Sequence, residues 1–288
     1  MTIAIIPNMD KDFSSETFCE LAALLCGRAQ VIADKQITME NLPPSVLLVD
    51  QDELYTRADI IAVLGGDGTL LASAPKAAAA GKPMFGINLG RLGFLASCDR
   101  ANLPYAVEKL LSKDYTLQKR MMLCAQTADR MDMALNDVVI ARGLSSHMIE
   151  ISLSVNGEFL DAYRADGIVI STPTGSTAYS LSAGGPVAHP AMDMIMLTPI
   201  CPHDLQSRTT VLPGDSTISI TVIGHGDADA VLSVDGMDGQ SIASGQTVRV
   251  SRATCCTQLV KIDGQSFYET LRQKLGRAAD QSFGGSDE

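Results

Sequence analysis

Residues 59–72 constrain the fold more than any other stretch, and they run Asp-Ile-Ile-Ala-Val-Leu-Gly-Gly-Asp-Gly-Thr-Leu-Leu-Ala. The unbroken apolar run at residues 60–64 is typical of a strand that is buried on both faces of a parallel sheet. A glycine-rich turn follows it, and residues 70–80 have the composition of a helix. Strand, glycine turn and helix form half of a βαβ unit, whose turn offers backbone N–H groups and a positive helix end to an anion.

The turn itself places one carboxylate among small residues, in the order Gly65, Gly66, Asp67, Gly68 and Thr69. Glycines let the backbone come close to a ligand where a Cβ atom would clash. A carboxylate beside phosphate groups is repelled unless it binds a metal or accepts a proton. The turn is neither a Walker A loop, since no lysine follows the glycines, nor the G-x-G-x-x-G of redox Rossmann domains. It therefore indicates a nucleotide site that does chemistry on a hydroxyl group, although a tight turn that happens to carry an aspartate is the plain alternative.

Charge and composition exclude several classes of protein. The 288 residues carry 22 Lys and Arg against 33 Asp and Glu, a net charge of −11, so we expect no nucleic-acid partner, because no basic stripe exists to replace phosphate counterions. No apolar run approaches the ~20 residues that span a bilayer, so we expect no membrane partner. The first residues indicate a strand and not a signal peptide. Seven scattered cysteines, none in a C-x-x-C pair, favour free thiols and a cytoplasmic protein.

The order of predicted elements indicates an α/β protein of two domains. Residues 1–118 alternate strands and helices, which predicts a doubly wound, Rossmann-like nucleotide-binding domain with its ligand loops at the carboxyl ends of the strands. Residues 119–265 are mostly β-type runs around a single helix at residues 176–183, which predicts a β-rich domain. Residues 266–288 hold an amphipathic helix, expected to return to the first domain, and a disordered tail.

Two further stretches carry polar groups suited to a ligand. Residues 166–186 enter a strand through an Asp-Gly turn and leave it through a run of Ser, Thr, Gly and Pro, followed by a short helix. Such a loop offers hydroxyl and N–H groups to sugars and phosphates, and Tyr179 supplies a flat ring for a base. Asn136 and Asp137 open an apolar strand. Capping residues in the loop and an Asx turn at the strand are the structural alternatives.

These stretches occur in the order and approximate spacing of the NAD kinase family, which the chain resembles over nearly its whole length. The match rests on the Gly-Gly-Asp-Gly-Thr turn, the Asn-Asp pair and residues 166–186, and it continues at residues 88–95, 197–203, 234–236 and 267–275. The glycine turn alone is shared with lipid kinases of the diacylglycerol type and, with a final Ser, with phosphofructokinases. Residues 174–182 discriminate the family from these others.

The resemblance implies phosphorylation of the adenosine-ribose 2′-hydroxyl of NAD by ATP, and it implies roles for individual residues. Asp67 would accept the proton of the hydroxyl, and the glycine turn from Gly65 to Thr69 would receive phosphates. Asn136 and Asp137 would hold a ribose, and Asp166 would hold the adenine or ribose edge across the domain cleft. The rest of the pocket would be lined by Thr177, Ala178, Tyr179 and Ser182. Cys201 falls at a further contact position.

His147 and Arg164 match positions that a neighbouring subunit often supplies in the family, which implies a homodimer or homotetramer. Mg²⁺ or Mn²⁺ would bridge the phosphates of ATP, held mainly by nucleotide oxygens and water, so no metal site of protein side chains is expected. Two residues depart from the family pattern: Asp137 stands where many relatives have Glu, and Met237 stands where many have Gln. These departures concern substrate details, such as acceptance of NADH, more than the reaction type.

Other interpretations remain open from the sequence. A lipid or sphingoid kinase of related fold would show an apolar membrane-binding face, and no such stretch occurs. A non-catalytic dinucleotide sensor would keep Tyr179 and the hydroxyl-rich loop but would have little need of Asp67. Arg91, in a glycine-rich turn, is either a phosphate ligand or a solvent-exposed side chain.

Overall fold

The structure is a computed structural model that describes residues 1–90, 93–143, 147–204, 206–223, 230–237, 239–262 and 266–276. Arg91 and the predicted tail, residues 280–288, lie outside the described residues. No helix in the described part of the chain is both long and apolar enough to cross a bilayer.

The first part of the chain forms a parallel sheet with helices on both faces. Its strands are β1 (Thr2–Pro7), β2 (Gln30–Asp34), β3 (Val46–Val49), β4 (Ile60–Gly65), β5 (Met84–Asn88) and the short β6 (Cys98–Asp99). Its helices are α1 (Ser14–Leu25), α2 (Gln51–Arg57), α3 (Asp67–Ala79) and α4 (Leu103–Leu111). The strand order β5-β4-β1-β2-β3 changes direction between β1 and β4, and ligands of such sheets bind at that point.

Alternate residues of these strands pack against different helices. One cluster of buried side chains joins α1 and α4 to one face of the sheet, and a second joins α2 and α3 to the other face. Residues 60–65 are buried throughout, as expected for a central parallel strand covered on both sides. The prediction of an N-terminal doubly wound domain and a β-rich second part is confirmed.

The second part of the chain is built from twelve strands. The strands are β7 (Thr116–Gln126), β8 (Met131–Ala134), β9 (Asp137–Arg142), β10 (Ile149–Val155), β11 (Glu158–Ala165), β12 (Gly167–Ser171), β13 (Met194–Ile200), β14 (Thr210–Pro213), β15 (Ile218–Ile223), β16 (Ala230–Val234), β17 (Gln240–Ile242) and β18 (Thr247–Lys261). An antiparallel sheet of order β14-β13-β12-β9-β16-β17 packs over β7, β10, β15 and β18, and their inward side chains form one core.

Strand β18 connects the two parts. It pairs antiparallel with β15 and β7 along most of its length, and near its end Leu259 aligns in parallel with Met84 of β5. The parallel sheet therefore continues into the second part as a single 12-stranded sheet. The predicted domain boundary, between residues 118 and 119, falls inside β7.

Two local predictions need correction. The single helix expected at residues 176–183 is a 3₁₀ turn, Gly175–Thr177, followed by the short helix α5 (Tyr179–Ser182), because the backbone at Ala178 is not helical. The apolar stretch around the adjacent Cys255 and Cys256 predicts buried strand residues; both lie in β18 but are only half-buried, beside an irregularity in the pairing with β7.

The C-terminal helix α6 (Phe267–Leu275) begins with a capping box in which Ser266 and Glu269 exchange hydrogen bonds. The ring of Phe267 lies 6.2 Å from that of Phe94 in the first part and 5.1 Å from that of His189 in the second. The helix therefore contacts both parts of the chain.

Candidate active site

Asp67 is the first residue of α3 and lies at the carboxyl end of β4. An ideal Cβ on Gly65 would come within 2.4 Å of Thr69 Oγ1, so this glycine is required by packing inside the turn. A Cβ on Gly66 or Gly68 would meet nothing within 4 Å, so these two glycines face open space. Only Gly66 and Gly68 therefore have room above them for a ligand's phosphates.

Both oxygens of the Asp67 carboxylate accept hydrogen bonds from a neighbouring segment, residues 94–95. The backbone N–H of Phe94 donates to Oδ2 at 2.9 Å, and that of Leu95 donates to Oδ1 at 3.1 Å. A side chain at Gly93 would collide with this carboxylate, since its Cβ would lie 2.0 Å from Oδ1. Two charge-assisted hydrogen bonds and the positive end of α3 therefore hold a half-buried carboxylate in one position.

The end of β1 completes this side of the site. Asn8 follows β1, and its Nδ2 donates to Thr69 Oγ1 at 3.0 Å. Since β1 and β4 flank the point where the strand order reverses, the glycine turn opens onto the crevice that this topology creates. Thr69 therefore acts within the turn, as a hydrogen-bond partner of Asn8.

The backbone of Asn136 and Asp137 is held in position by Asp235, which lies about 100 residues further along the chain. The Asp235 carboxylate accepts from the N–H groups of Leu135 at 2.7 Å, Asn136 at 2.7 Å and Asp137 at 3.1 Å. Asp235 itself has a left-handed backbone, with φ of 50°, in the turn that follows β16. This carboxylate fixes the start of β9 through three backbone N–H groups and does not use the side chains of Asn136 and Asp137.

The Asp137 side chain is buried, with 5% of its surface exposed. Burial raises the pKa of Asp137 to about 7, the negative charge of Asp235 adds to the rise, and a hydrogen bond from the Tyr179 backbone N–H opposes it. Burial also raises the pKa of Asp235, while its three backbone hydrogen bonds favour its ionised form.

The hydroxyl-rich loop is packed directly against Asn136. Thr172 donates through Oγ1 to the Leu135 carbonyl at 2.6 Å and through its N–H to the Asn136 carbonyl at 2.9 Å. Gly175 lies so close that a Cβ there would be 2.1 Å from the Asn136 carbonyl oxygen. Several predicted ligand hydroxyls of this loop are therefore structural. The predicted site residues Thr177, Ala178, Tyr179 and Ser182 remain partly or fully exposed, as do Leu181, Ala183, Gly184 and Pro186.

The two halves of the site share one core. Leu135, which precedes Asn136, belongs to the same cluster of buried side chains as Leu70 of α3 and Leu95, whose N–H holds Asp67. The chain thus brings together Asp67, the exposed glycines, the Asn136–Asp137 pair and the loop around Tyr179.

Four predicted residues lie elsewhere in the subunit: His147, Arg164, Asp166 and Cys201. In the β9–β12 ladder Asp137 pairs with Ser171, and Asp166 lies five residues away at the opposite end, about 17 Å along the strand. Asp166 therefore lies far from Asp137 within one chain, and its contact with the adenine or ribose edge of a ligand stays a prediction. Its carboxylate accepts from Arg142 Nε at 2.8 Å.

The other three residues, His147, Arg164 and Cys201, lie at the same end of the sheet as Asp166. The N–H of His203 donates to the Arg164 carbonyl at 2.8 Å, and that of Asp166 donates to Ile200, the residue before Cys201, at 3.0 Å. His147 precedes β10, whose first residue pairs with Ala165. His147, Arg164 and Cys201 are exposed, so this group forms a second surface of the molecule.

Three positioning groups were missed in the sequence. Asp235 looks like an ordinary Asp-Gly turn, and the N–H groups of Phe94 and Leu95 carry no residue-type signature. Lys261 ends β18, and its Nζ donates to the carbonyls of Leu95 at 3.3 Å and Ala96 at 3.0 Å. Among the described residues no group of three or more His, Cys, Asp or Glu side chains could hold a metal ion.

A fixed carboxylate beside an open glycine turn, next to a loop of hydroxyl and amide groups, defines a phosphotransferase that acts on an alcohol. The comparisons with known proteins agree. The family model of the ATP-NAD kinase N-terminal domain matches residues 3–115, and that of the ATP-NAD kinase C-terminal domain matches residues 135–262. The chain belongs to the NAD kinase family.

Named relatives and solved structures extend over the whole chain. The NAD kinase of Desulforamulus reducens is 41% identical over 287 residues, which cover 95% of this chain and 96% of that one. The NAD kinase of Acetivibrio thermocellus is 37% identical, with coverage of 96% and 97%. The crystal structure of yeast NADH kinase complexed with NADH is similar with a TM-score of 0.85, at 27% identity, covering 100% of this chain and 90% of that one. An NAD kinase from Archaeoglobus fulgidus in complex with ATP has a TM-score of 0.76 at 25% identity, with coverage of 96% and 98%.

Proposed function

We propose that this protein is an ATP-dependent NAD kinase, which transfers the γ-phosphoryl group of ATP to the 2′-hydroxyl of the adenosine ribose of NAD⁺ and so makes NADP⁺. The observation that carries the proposal is the Asp67 carboxylate, held by the Phe94 and Leu95 N–H groups at the mouth of the glycine turn. A carboxylate fixed there repels phosphate unless it has a proton to accept, and the attacking hydroxyl has one.

In this proposal Asp67 orients the 2′-hydroxyl and takes its proton as the bond to phosphorus forms. Phosphoryl transfer depends mainly on positioning and charge neutralisation, so a rigid acceptor is more useful than a mobile one. The open space above Gly66 and Gly68, together with the N-terminus of α3, receives the phosphates of ATP. Gly65 contributes by packing against Thr69 and not by contact with the nucleotide.

The acceptor nucleotide lies across the start of β9. Asn136 and Asp137 hold a ribose through hydroxyl hydrogen bonds, and the exposed ring of Tyr179 stacks on a base. Thr177, Ala178 and Ser182 line the remaining wall. The support for this arrangement is the set of contacts that join residues 135–137 to Thr172, Gly175 and Tyr179.

A divalent cation, Mg²⁺ or Mn²⁺, neutralises charge on the phosphates of ATP when it is bound. The described residues offer no all-protein site for it, so the nucleotide's oxygens and water would supply most of its ligands.

The second surface, formed by His147, Arg164, Asp166 and Cys201, completes the pocket of a neighbouring copy in a homodimer or homotetramer. Support comes from the distance of about 17 Å that separates it from Asp137 within one chain, together with its exposure. We also place the enzyme in the cytoplasm, because all seven cysteines are free thiols.

One assay tests the function. Purified protein is incubated with ATP, Mg²⁺ and NAD⁺, and NADP⁺ is measured with an NADP-specific dehydrogenase. A parallel reaction with NADH tests acceptor choice in a chain that has Asp137 and Met237 at these positions. We expect NADP⁺ to accumulate in proportion to enzyme and to require ATP. Tight NAD⁺ binding without NADP⁺ formation would instead favour the dinucleotide sensor.

A further inference from the structure

A cavity of about 640 Å³ lies behind the candidate active site, between α4, the start of β7 and α6. None of the residues predicted to bind ATP or NAD lines it. Its volume is within the range of about 300–1,000 Å³ that small-molecule sites occupy. Nothing in the proposed kinase reaction uses this space.

One segment forms the wall between the cavity and the active site. The N–H groups of Phe94 and Leu95 point to Asp67, while Phe94 itself and the following Ala96, Ser97 and Cys98 line the cavity. Lys261 also lines the cavity and donates to the carbonyls of this wall segment. The cavity is therefore adjacent to the catalytic carboxylate but separate from it.

One buried and one half-buried cation, Arg120 and Lys261, line the cavity. Arg120 is 6% exposed, and its Nη2 donates to the uncharged Gln118 side chain at 2.9 Å. Among the described residues neither Arg120 nor Lys261 forms an ion pair with a carboxylate. Asp99, the one carboxylate among the described lining residues, uses Oδ1 to accept from the N–H and the amide group of Asn102. The cavity is thus a positively charged site in a protein of net charge −11.

The pKa values of both cations are lowered, because burial disfavours their charged forms. Burial lowers the pKa of Arg120 to about 10. Burial and the nearby charge of Arg120 lower the pKa of Lys261 to about 8, against the opposing effects of Asp67 and Cys98. An anion placed between the two side chains would remove both penalties, and a guanidinium offers paired donors to a phosphate.

The remaining walls are aromatic. His189, Phe267 and Tyr268 lie within 5.1–5.8 Å of one another, measured between ring centroids, and all three line the cavity. Tyr105 lines it on the opposite helix, with 50% of its surface exposed. Rings on two sides and cations on a third suit a ligand with one flat ring and one phosphate.

We propose that this cavity is a second ligand site, which binds a small aromatic phosphate ester of the nucleoside monophosphate class against Arg120 and Lys261. The site does not depend on the kinase reaction, because it shares no side chain with the proposed ATP and NAD pockets. Its occupant would contact the wall segment that holds Asp67.

The experiment uses AMP as the probe and a single tryptophan as the reporter. The natural chain has no Trp, so Tyr105→Trp places the sole indole on the cavity wall. We expect AMP, added without ATP or NAD⁺, to change the fluorescence saturably, with higher affinity than adenosine or inorganic phosphate. Adding Arg120→Gln to this background should weaken AMP binding at least ~10-fold, the scale of a lost charged hydrogen bond.

Three further variants make the result decisive. Lys119→Gln changes an exposed lining cation and should weaken AMP binding without affecting folding, whereas Lys274→Gln, on the exposed end of α6, should not. Tyr179→Ala should leave the response unchanged. The proposal is overturned if the reporter gives no saturable response, if Lys119→Gln and Arg120→Gln bind AMP like the parent, or if Tyr179→Ala abolishes the response, which would place AMP in the active site.

Discussion

Lys261 Nζ donates to the carbonyl oxygen of Ala96 at 3.0 Å and thereby ties the end of β18 to the segment that holds Asp67. Leu95 takes part twice: its carbonyl accepts from Lys261 at 3.3 Å and its N–H donates to Asp67 at 3.1 Å. The position of the Asp67 carboxylate therefore depends on a strand that begins in the other part of the chain.

This relationship predicts that kcat falls at alkaline pH. Burial, with Arg120, lowers the pKa of Lys261 to about 8, so the ammonium loses its charge above that pH and its hydrogen bonds to the Leu95 and Ala96 carbonyls weaken. We expect kcat to fall as the pH rises through about 8. Lys261→Arg keeps its charge to a higher pH and should move this alkaline limb to higher pH, while Lys261→Met should lower kcat by about 10-fold to 100-fold below about pH 8 and remove the limb. A parental limb in Lys261→Arg would exclude Lys261 as its source.

The raised pKa of Asp137 predicts that NAD⁺ binds more weakly at acidic pH. Its pKa is raised to about 7, first by burial and then by Asp235, so it becomes protonated as the pH falls through 7 and is a poorer acceptor for ribose hydroxyls. The dissociation constant for NAD⁺, measured by calorimetry, should rise by up to about 10-fold per pH unit below 7. Asp137→Asn should bind more weakly and show no such pH dependence. A pH dependence that persists in this variant would assign the titration to another group.

Asp235 should control both stability and substrate binding. Asp235→Ala leaves the N–H groups of residues 135–137 without their acceptor, and we expect a loss of about 2–3 kcal/mol in the free energy of unfolding together with a higher KM for NAD⁺. Asp215→Asn, an exposed turn residue, is the control and should change neither quantity. An unchanged KM in a destabilised Asp235→Ala would show that the start of β9 does not position the substrate.

Tyr179 should act through its ring. Because 44% of its surface is exposed in the absence of a ligand, Tyr179→Ala should raise the KM for NAD⁺ several-fold and leave kcat nearly unchanged, whereas Tyr179→Phe should retain the parental KM. Steady-state kinetics at saturating ATP distinguish the two. A normal KM in Tyr179→Ala would remove this ring from the pocket.

Local patterns were sufficient for much of the fold. The apolar run at residues 60–64 and the glycine turn after it predicted β4 and α3, because parallel strands buried on both faces have few alternatives. They did not predict the full length of β18: only residues 248–252 look like a strand, and the rest pairs with β7 and β5 through contacts distant in sequence. Helix α2 was also missed, since it is only seven residues long and mostly exposed.

Sequence patterns likewise predicted one part of the candidate site and not the other. Side chains that are predicted to touch a ligand, such as Asp67 and Tyr179, are marked by residue type and motif. Groups that hold them are not: backbone N–H groups have no sequence signature, and Asp235 and Lys261 act through distant partners. Motif matching predicted ligand contacts for both Asp166 and Asp137 but did not indicate that they lie at opposite ends of the β9–β12 ladder, because a motif does not record which end of a ladder supplies a residue.

The most direct measurement compares Asp67→Asn with the parent in NAD⁺ binding and in turnover. Asparagine keeps the shape of the side chain but cannot accept the proton, so we expect NAD⁺ affinity within about 2-fold of the parent and a kcat lower by at least ~10². Asp52→Asn, in the exposed first turn of α2, is the matched control and should have parental kinetics. A variant Asp67→Asn that binds NAD⁺ and still makes NADP⁺ at close to the parental rate would contradict the role of this carboxylate as the proton acceptor.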